Sequence, residues 1–382
     1  MSDALRAEFV SDLSAVDPAE WDRLLGHHLF TRYHYLAALE QSHCVGEASG
    51  WLPHHLLVYR GTTLVAAMPL YIKLHSYGEY LFDWSWARAY EQRGLDYYPK
   101  LVSAIPFTAI TGPRLGIDKA QAPADIHALV GHCLTQRAES LDASGVQLLF
   151  PDGNELKQWT LPDWYRRRDI RFQWHHRGEA NFSEFLGRFK SRKRKMVNKE
   201  RQRLADTGIS FETLSGHDLT DAHWHAFIQC YQTTYLKRSG HPGYLSPTFF
   251  RLLAQHFAEH VVMMVARQQG TIIACALYLK EGDTLYGRYW GALQAVEGLH
   301  FELCYYRGIE YCLQQGLSRF DPGVQGEHKL ARGFEPVFSY GTGMIRHPDF
   351  APAIAHFCRE EWLAVGQAEE QARQALPFRE GE

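Results

Sequence analysis

Residues 320–336, FDPGVQGEHKLARGFEP, gather Asp321, Glu327, His328, Lys329 and Arg332 among three glycines and two prolines. Glycine and proline at this density mark a loop, and a loop at the end of a strand can bring functional groups to a cleft. A carboxylate, an imidazole and two cations in one loop suit a reaction that needs a base for a proton and a donor for a developing oxyanion. Glu327 or His328 can act as that base, and Lys329 or Arg332 as the stabiliser. Asp321 and Arg332 are further assigned to substrate binding. The competing reading is a turn with ionic decoration. A second segment, RYWGALQAVEGLHFELCYY at 288–306, ends a strand on Arg288 and Tyr289 and opens a helix over 301–315. Arg288 and Tyr289 are assigned to substrate binding. Glu302 is a further catalytic candidate, although a carboxylate in a first helical turn also simply complements the helix dipole.

Between Arg188 and Arg203 nine cations face one anion, Glu200. Phe182, Phe185, Leu186, Phe189, Met196, Val197 and Leu204 keep one stripe apolar, so the spacing predicts a docked helix that presents Arg192, Lys193, Arg194 and Lys195 outward. That surface suits phosphate, whether on a nucleotide-linked substrate, CoA or tRNA, and a solvated surface helix is the plainer alternative. Metal binding is not assigned. The His pairs at 27/28, 54/55 and 175/176 lack i, i+4 partners, and His300 with Cys304 places the cysteine beside an apolar face. There is no G-x-S-x-G elbow and no P-loop. Phe82, Trp84, Trp86, Tyr90, Tyr97 and Tyr98 form an aromatic cluster that can line a groove or simply pack.

The elements that must position these groups belong to a globular chain. Of 382 residues, 46% are hydrophobic, 22% charged and 13% aromatic, which excludes disordered, collagen-like and coiled-coil classes. A net charge of −3 gives no global field for DNA or a membrane, so an anionic partner must meet a local patch. Seven scattered cysteines without a CxxC pair read as free thiols in a reducing compartment. The absence of a signal-like start and of any long apolar run adds the expectation of a cytoplasmic location.

The chain resembles itself. Residues 57–73, LVYRGTTLVAAMPLYIK, align without a gap on 264–280, MVARQQGTIIACALYLK, with six of seventeen positions identical. Chance gives roughly one. Both read as hairpins, with Tyr71 expected to be equivalent to Tyr278 and third strands expected around Tyr80–Trp86 and Leu285–Trp290. Upstream, Asp17 before Trp21 echoes Asp218 before Trp224, each as the expected cap of a helix. The second half then reads strand, two helices (218–237 and 246–259), three strands, helix and strand, and the first half runs in parallel.

This β-α-α-β-β-β-α-β series resembles the GNAT acyltransferase fold, and two in tandem resemble the Fem-like branch. FDWSWA (82–87), YYPKLVSAIPFTAITGPRL (97–115), SRKRK (191–195), YGRYWG (286–291), HFELCYY (300–306) and GEHKLARGFEP (326–336) are similar to FemAB-like N-acyltransferases of peptidoglycan biosynthesis and recognition. The resemblance implies an α/β (α+β) chain of two tandem GNAT-like domains, 1–178 and 179–382, each a mixed central sheet flanked by helices. It also makes Lys329, ahead of Gly333 and Phe334, the counterpart of a lysine common to Fem-like enzymes. The implied reaction moves an acyl or aminoacyl group to an amine, on a small molecule or a nucleotide-linked cell-wall precursor. Acyl-CoA (acetyl-CoA) is the first expected donor and aminoacyl-tRNA the second. The R/Q-x-x-G-x-G/A loop of CoA-using enzymes is out of register in GALQAVEGLHFE (291–302), and the helical arm common in tRNA-using Fem enzymes has no room. The alternative function is non-catalytic recognition of an anionic peptidoglycan precursor.

Overall fold

The computed structural model describes residues 4–379 except Gln325, with the Glu327 side chain also outside the described residues. The chain forms two units, Met1–Ile170 with Phe338–Gln367 and Arg171–Val337 with Ala368–Glu382. This division differs from the expected boundary at 178 and from the assignment of the whole C-terminal segment to the second domain. The reason lies in two long strands, Tyr165–His175 and Glu335–Ile345, which each change unit midway. Residues 341–345 pair antiparallel with 145–149 in the first unit. Trp174 and His175 pair antiparallel with Phe320 and Arg319 in the second. Each sheet is therefore completed by a strand that follows the other unit's core in sequence.

In the first unit, Leu5–Val10, His55–Arg60 and Thr63–Met68 form an antiparallel series. Asp17 caps helix Pro18–Leu25 by accepting the N–H groups of Ala19 and Glu20, and Trp21 packs inward. After Pro69 the chain resumes as Tyr71–Lys73, antiparallel to Lys100–Ser103, which runs parallel to Gly145–Leu149. Helix Pro123–Ser140 buries Ile126, Val130 and Leu134 against Leu101, Val146 and Leu148. The third strand expected at Tyr80–Trp86 is absent. Trp84–Glu91 is a helix, because the Asp83 carboxylate turns inward to Lys100, Ser76 and Tyr97 and leads the chain off the sheet.

In the second unit, Ser210–Ser215, Val261–Gln268, Thr271–Glu281 and Thr284–Ala292 are successive antiparallel neighbours, and Arg319–Asp321 lies parallel to the last. Helices Asp221–Ser239 and Pro247–Phe257 sit between the first two strands in sequence. The first of these packs so closely that a Cβ on Gly291 would stand 2.0 Å from the Cys230 carbonyl oxygen, which requires glycine there. Its cap is Thr220 in a box with His223, not Asp218, which instead accepts the Ser215 hydroxyl. The repeated order of elements is thus present in both units. Residue for residue it slips: Arg60–Thr63 and Gln268–Thr271 close the two hairpin turns, one position later in the second than the gapless alignment requires. Tyr71 and Tyr278 are accordingly not equivalent, and Tyr71 lies beyond a strand break that the second unit lacks.

The basic segment is also two helices rather than one, Phe182–Gly187 and Ser191–Ala205. The break falls where Phe189 turns inward against Phe185 and Phe378, and the Lys190 N–H is taken by the Pro377 carbonyl.

Candidate active site of the second unit

Strands Thr284–Ala292 and Arg319–Asp321 pair over only three positions, ending at Tyr286 and Asp321. Pro322 then offers no N–H, and Gly323 at φ +88° turns the chain away. A cavity of about 90 Å³ opens in the gap, lined among others by Tyr278, Arg288, Tyr289, Trp290, His300, Cys304, Tyr305 and Pro322. Gly287 keeps it open, since a Cβ there would reach 3.3 Å from the Pro322 Cα.

The cavity's lid is the helix that begins at Leu299 and runs to Gln315, with a π-helical stretch over Glu302–Tyr306. The widened turn leaves the Leu303 carbonyl to accept the Tyr278 hydroxyl, and buries Tyr305 and Tyr306 side by side. Among the described residues, the buried Tyr289 hydroxyl and Trp290 indole N–H in the cavity wall have no protein partner.

Lys329 comes from the short 3-10 helix Glu327–Arg332 and is 1% exposed. Its ammonium donates to the Gly323 carbonyl. Burial lowers its pKa to about 8, against an upward pull from Asp321 and together with repulsion from Arg171. Asp321 accepts the Gly323 N–H at 2.9 Å and the Gln173 amide at 3.1 Å, so it shapes the loop that Lys329 leans on. His328 is exposed at one edge, with Nε2 2.8 Å from the Tyr305 hydroxyl. Burial, then Arg332 and Lys329, hold its pKa below the ordinary imidazole value. His300 is pushed down to about 3, first by burial and then by His328 and Arg238, and is neutral.

Two expected participants are committed elsewhere. Both oxygens of Glu302 are held by Arg201, at 2.8 and 3.0 Å, and one also meets Arg307 at 3.2 Å. It is a buried ion-pair anchor, not an available base. Arg332 grips Glu200 through one nitrogen at 2.8 and 3.0 Å, donates to Tyr306 and the His328 carbonyl, and stacks 3.5 Å over Phe301. Four of its five N–H groups are taken by these protein partners, so the guanidinium is pinned in place and not free to swing to an oxyanion. The Glu327 side chain, the other expected base, lies outside the described residues.

Those same contacts bolt helix Ser191–Ala205 to the cavity's lid, with Arg201 on Glu302 and Glu310 and with Glu200 on Arg332 and Tyr306. Arg192, Lys193, Arg194 and Lys195 project from this helix and make no ion pair among the described residues. Arg288 and Tyr289 thus line the cavity, His328 meets its wall through Tyr305, Lys329 lies behind the wall residue Pro322 on the Gly323 carbonyl, and the four cations sit on the helix that braces the lid. Tyr305 is not among the residues that the sequence marks for chemistry. Its place between cavity and His328 depends on the π turn, for which the sequence carries no signal beyond the aromatic density of HFELCYY.

A family model described as peptidoglycan biosynthesis/recognition matches residues 12–380. The chain belongs to the FemAB-like family. Among solved structures, L-PGS from Bacillus licheniformis is similar at 11% identity and TM-score 0.52, covering 90% of this chain and 97% of that one. FemX is similar at 11% identity and TM-score 0.49, covering 91% and 100%. A tandem GNAT protein from the clavulanic acid pathway gives 11% identity and TM-score 0.47, covering 89% and 98%. No curated protein matches. The likeness to L-PGS shows a shared fold, and the element order of the two units is the one that the resemblance to tandem GNAT-like domains implies. Among the described residues no helix is long and apolar enough to cross a membrane, and no group of three or more His, Cys, Asp or Glu side chains could hold a metal ion.

Proposed function

We propose that the chain is an N-acyltransferase whose reacting centre is the cavity between strands Thr284–Ala292 and Arg319–Asp321. The observation that carries this reading is a gap between parallel strands flanked by a buried lysine and a tyrosine–histidine pair. A carbonyl carbon placed there is attacked by an amine nitrogen. The Lys329 ammonium stabilises the tetrahedral oxygen, and His328 takes the amine proton through the Tyr305 hydroxyl. Collapse breaks the bond to the oxygen or sulfur of the donor, and that leaving group takes up the proton.

The first unit supports a single reacting centre. Its corresponding strands, Lys100–Ser103 and Gly145–Leu149, also pair over three positions. There the chain closes the gap itself: the Gly112 N–H donates to Phe150, and the Arg114 guanidinium to Leu149 and Ile110. Ile105, Phe107 and Ile110 are buried beside it.

For the donor, the turn before the lid helix fits a CoA pyrophosphate poorly. It lacks the glycine spacing, and helix Ser191–Ala205 stands against it, with the Glu200 carbonyl 3.9 Å from where a Gly298 Cβ would be and Arg203 3.3 Å from Glu297. A donor carried on a polyanion can instead rest on Arg192, Lys193, Arg194 and Lys195. This favours aminoacyl-tRNA over acyl-CoA, with the amine of a cell-wall precursor as acceptor.

The test is transfer of label from aminoacyl-tRNA, or from acetyl-CoA, to a nucleotide-linked muropeptide. Amide product from aminoacyl-tRNA that disappears in Lys329→Ala is expected. Product from acetyl-CoA alone overturns the donor assignment, and no product from either overturns the enzyme reading.

A further inference from the structure

We propose a second ligand site in the first unit, a groove for a saccharide ring between helix Trp84–Glu91 and the segment 94–98. The groove has a volume of about 530 Å³, within the roughly 300–1,000 Å³ of small-molecule sites. Trp84, Tyr97 and Tyr98 supply aromatic walls, and Arg88, Glu91 and Asp96 supply charge. Phe82 stacks on Trp84 at 5.8 Å and Tyr77 meets its edge at 5.0 Å. Tyr77 and Phe82 are 57% and 42% exposed, so the aromatic surface continues beyond the groove. An exposed aromatic patch of this kind is costly to leave in water and marks a contact site.

The chemistry narrows the ligand. The side chains of Arg88, Glu91 and Asp96 make no hydrogen bond or ion pair with described residues, so all three are available. A lipid chain would meet three unpaired charges. A phosphate would meet two carboxylates against one guanidinium, and a simple cation would meet Arg88 one turn from Glu91. A pyranose ring satisfies every wall at once. Its C–H face lies on an aromatic ring, its hydroxyls donate to the carboxylates, and its oxygens accept from the guanidinium.

The groove is also held rigid from beneath. Tyr97 donates to Asp83 at 2.6 Å, and the Tyr98 hydroxyl lies 2.9 Å from that of Ser76. Lys100 binds Ser76 at 2.9 Å, Glu79 at 2.8 Å and Asp83, while Gln147 reaches Asp83 at 2.7 Å. Lys100, Glu79 and Asp83 are each at most 2% exposed. A lysine and two carboxyl groups buried this deeply are weak contributors to stability but hold their hydrogen-bond partners in fixed positions. What they fix is the tyrosine pair and the start of the Trp84 helix. That is the supporting layer a preorganised binding surface needs.

The experiment is calorimetric titration of the full chain with cellotetraose and with tetra-N-acetylchitotetraose, whose all-equatorial rings expose flat C–H faces. Saturable binding of either probe is expected, weakened at least tenfold in Trp84→Ala and severalfold in Asp96→Asn, whose side chain is exposed and unpaired. Lys329→Ala should bind like the wild type, which separates this site from the transfer reaction. Absence of binding by both probes, or binding unchanged in Trp84→Ala and Asp96→Asn, overturns the proposal. Binding of tetramethylammonium with the same dependence on these residues overturns the saccharide assignment in favour of an ammonium.

Discussion

Replacing Lys329 by Met should make the protein more stable at pH 7 while abolishing transfer. In the folded chain burial holds this ammonium at a pKa of about 8, whereas the unfolded side chain titrates near 10.5. That gap, at ~1.4 kcal/mol per pH unit, is a penalty of about 3 kcal/mol on the charged form. Methionine removes it with little change in volume, but also removes the hydrogen bond to the Gly323 carbonyl, worth about 1 kcal/mol. The net gain at pH 7 is then about 2 kcal/mol. The sign fixes the pH dependence. Between pH 8 and 10.5 the unfolded state binds more protons at this site than the folded state, so the wild type recovers stability as the pH rises through that window. The advantage of the variant should therefore shrink from pH 7 to pH 10. Urea unfolding of both proteins at pH 7, 8.5 and 10 measures this. Parallel pH curves, or a loss of stability in Lys329→Met at pH 7, would show that Lys329 is not a strained, functionally retained charge.

The transfer rate should fall above about pH 8 as Lys329 loses its proton, and Lys329→Arg should move that limb to higher pH in a rate profile; on the acid side, the depressed His328 places the other limb below pH 6.5. Tyr305→Phe should lower kcat at least tenfold with little change in KM, because it interrupts the 2.8 Å link to His328 without opening the lid. Replacing Arg192, Lys193, Arg194 and Lys195 by Gln should reduce the slope of log affinity for tRNA against log salt by about 3, with unfolding unchanged, as read by filter binding. Residues 1–178 and 179–382 expressed apart should each fail to unfold cooperatively in calorimetry, because the first piece lacks the strand that pairs with 145–149 and the second lacks the one that pairs with 319–320; co-expression should restore the transition.

Local pattern carried the order of elements. Alternation and apolar runs mark 261–268 and 271–280 as strands, and Pro247 and Gly316 punctuate their helices where the structure has them. Pairing across the chain is not written locally. Nothing in Tyr165–His175 says that its last residues serve a sheet built from residues 210–321. The same limit applies to the site. Glu302 and Arg332 read as functional because their partners, Arg201 and Glu200, come from a segment more than a hundred residues away, and an ion pair consumes a side chain invisibly to the sequence. Asp83 is the reverse case. Its inward turn removed an expected strand, since a buried lysine seventeen residues on outweighed the β-rich pattern around it.

The crossing strands also set the order in which the molecule can be completed on the ribosome. The sheet residues 145–149 wait for 341–345, which are synthesised almost two hundred residues later. At about 5–20 residues per second that interval is roughly 10–40 s. During it the nascent first unit carries an open apolar sheet edge, while the second unit receives its borrowed strand, 174–175, before its own core exists. The later-made unit is thus the first whose strands can all pair, and only its last segment, from Ala368, follows the strand that completes the first unit. A chain stalled before residue 338 would present a finished second sheet tethered to an unfinished first, a species for chaperones to hold rather than a half-sized enzyme.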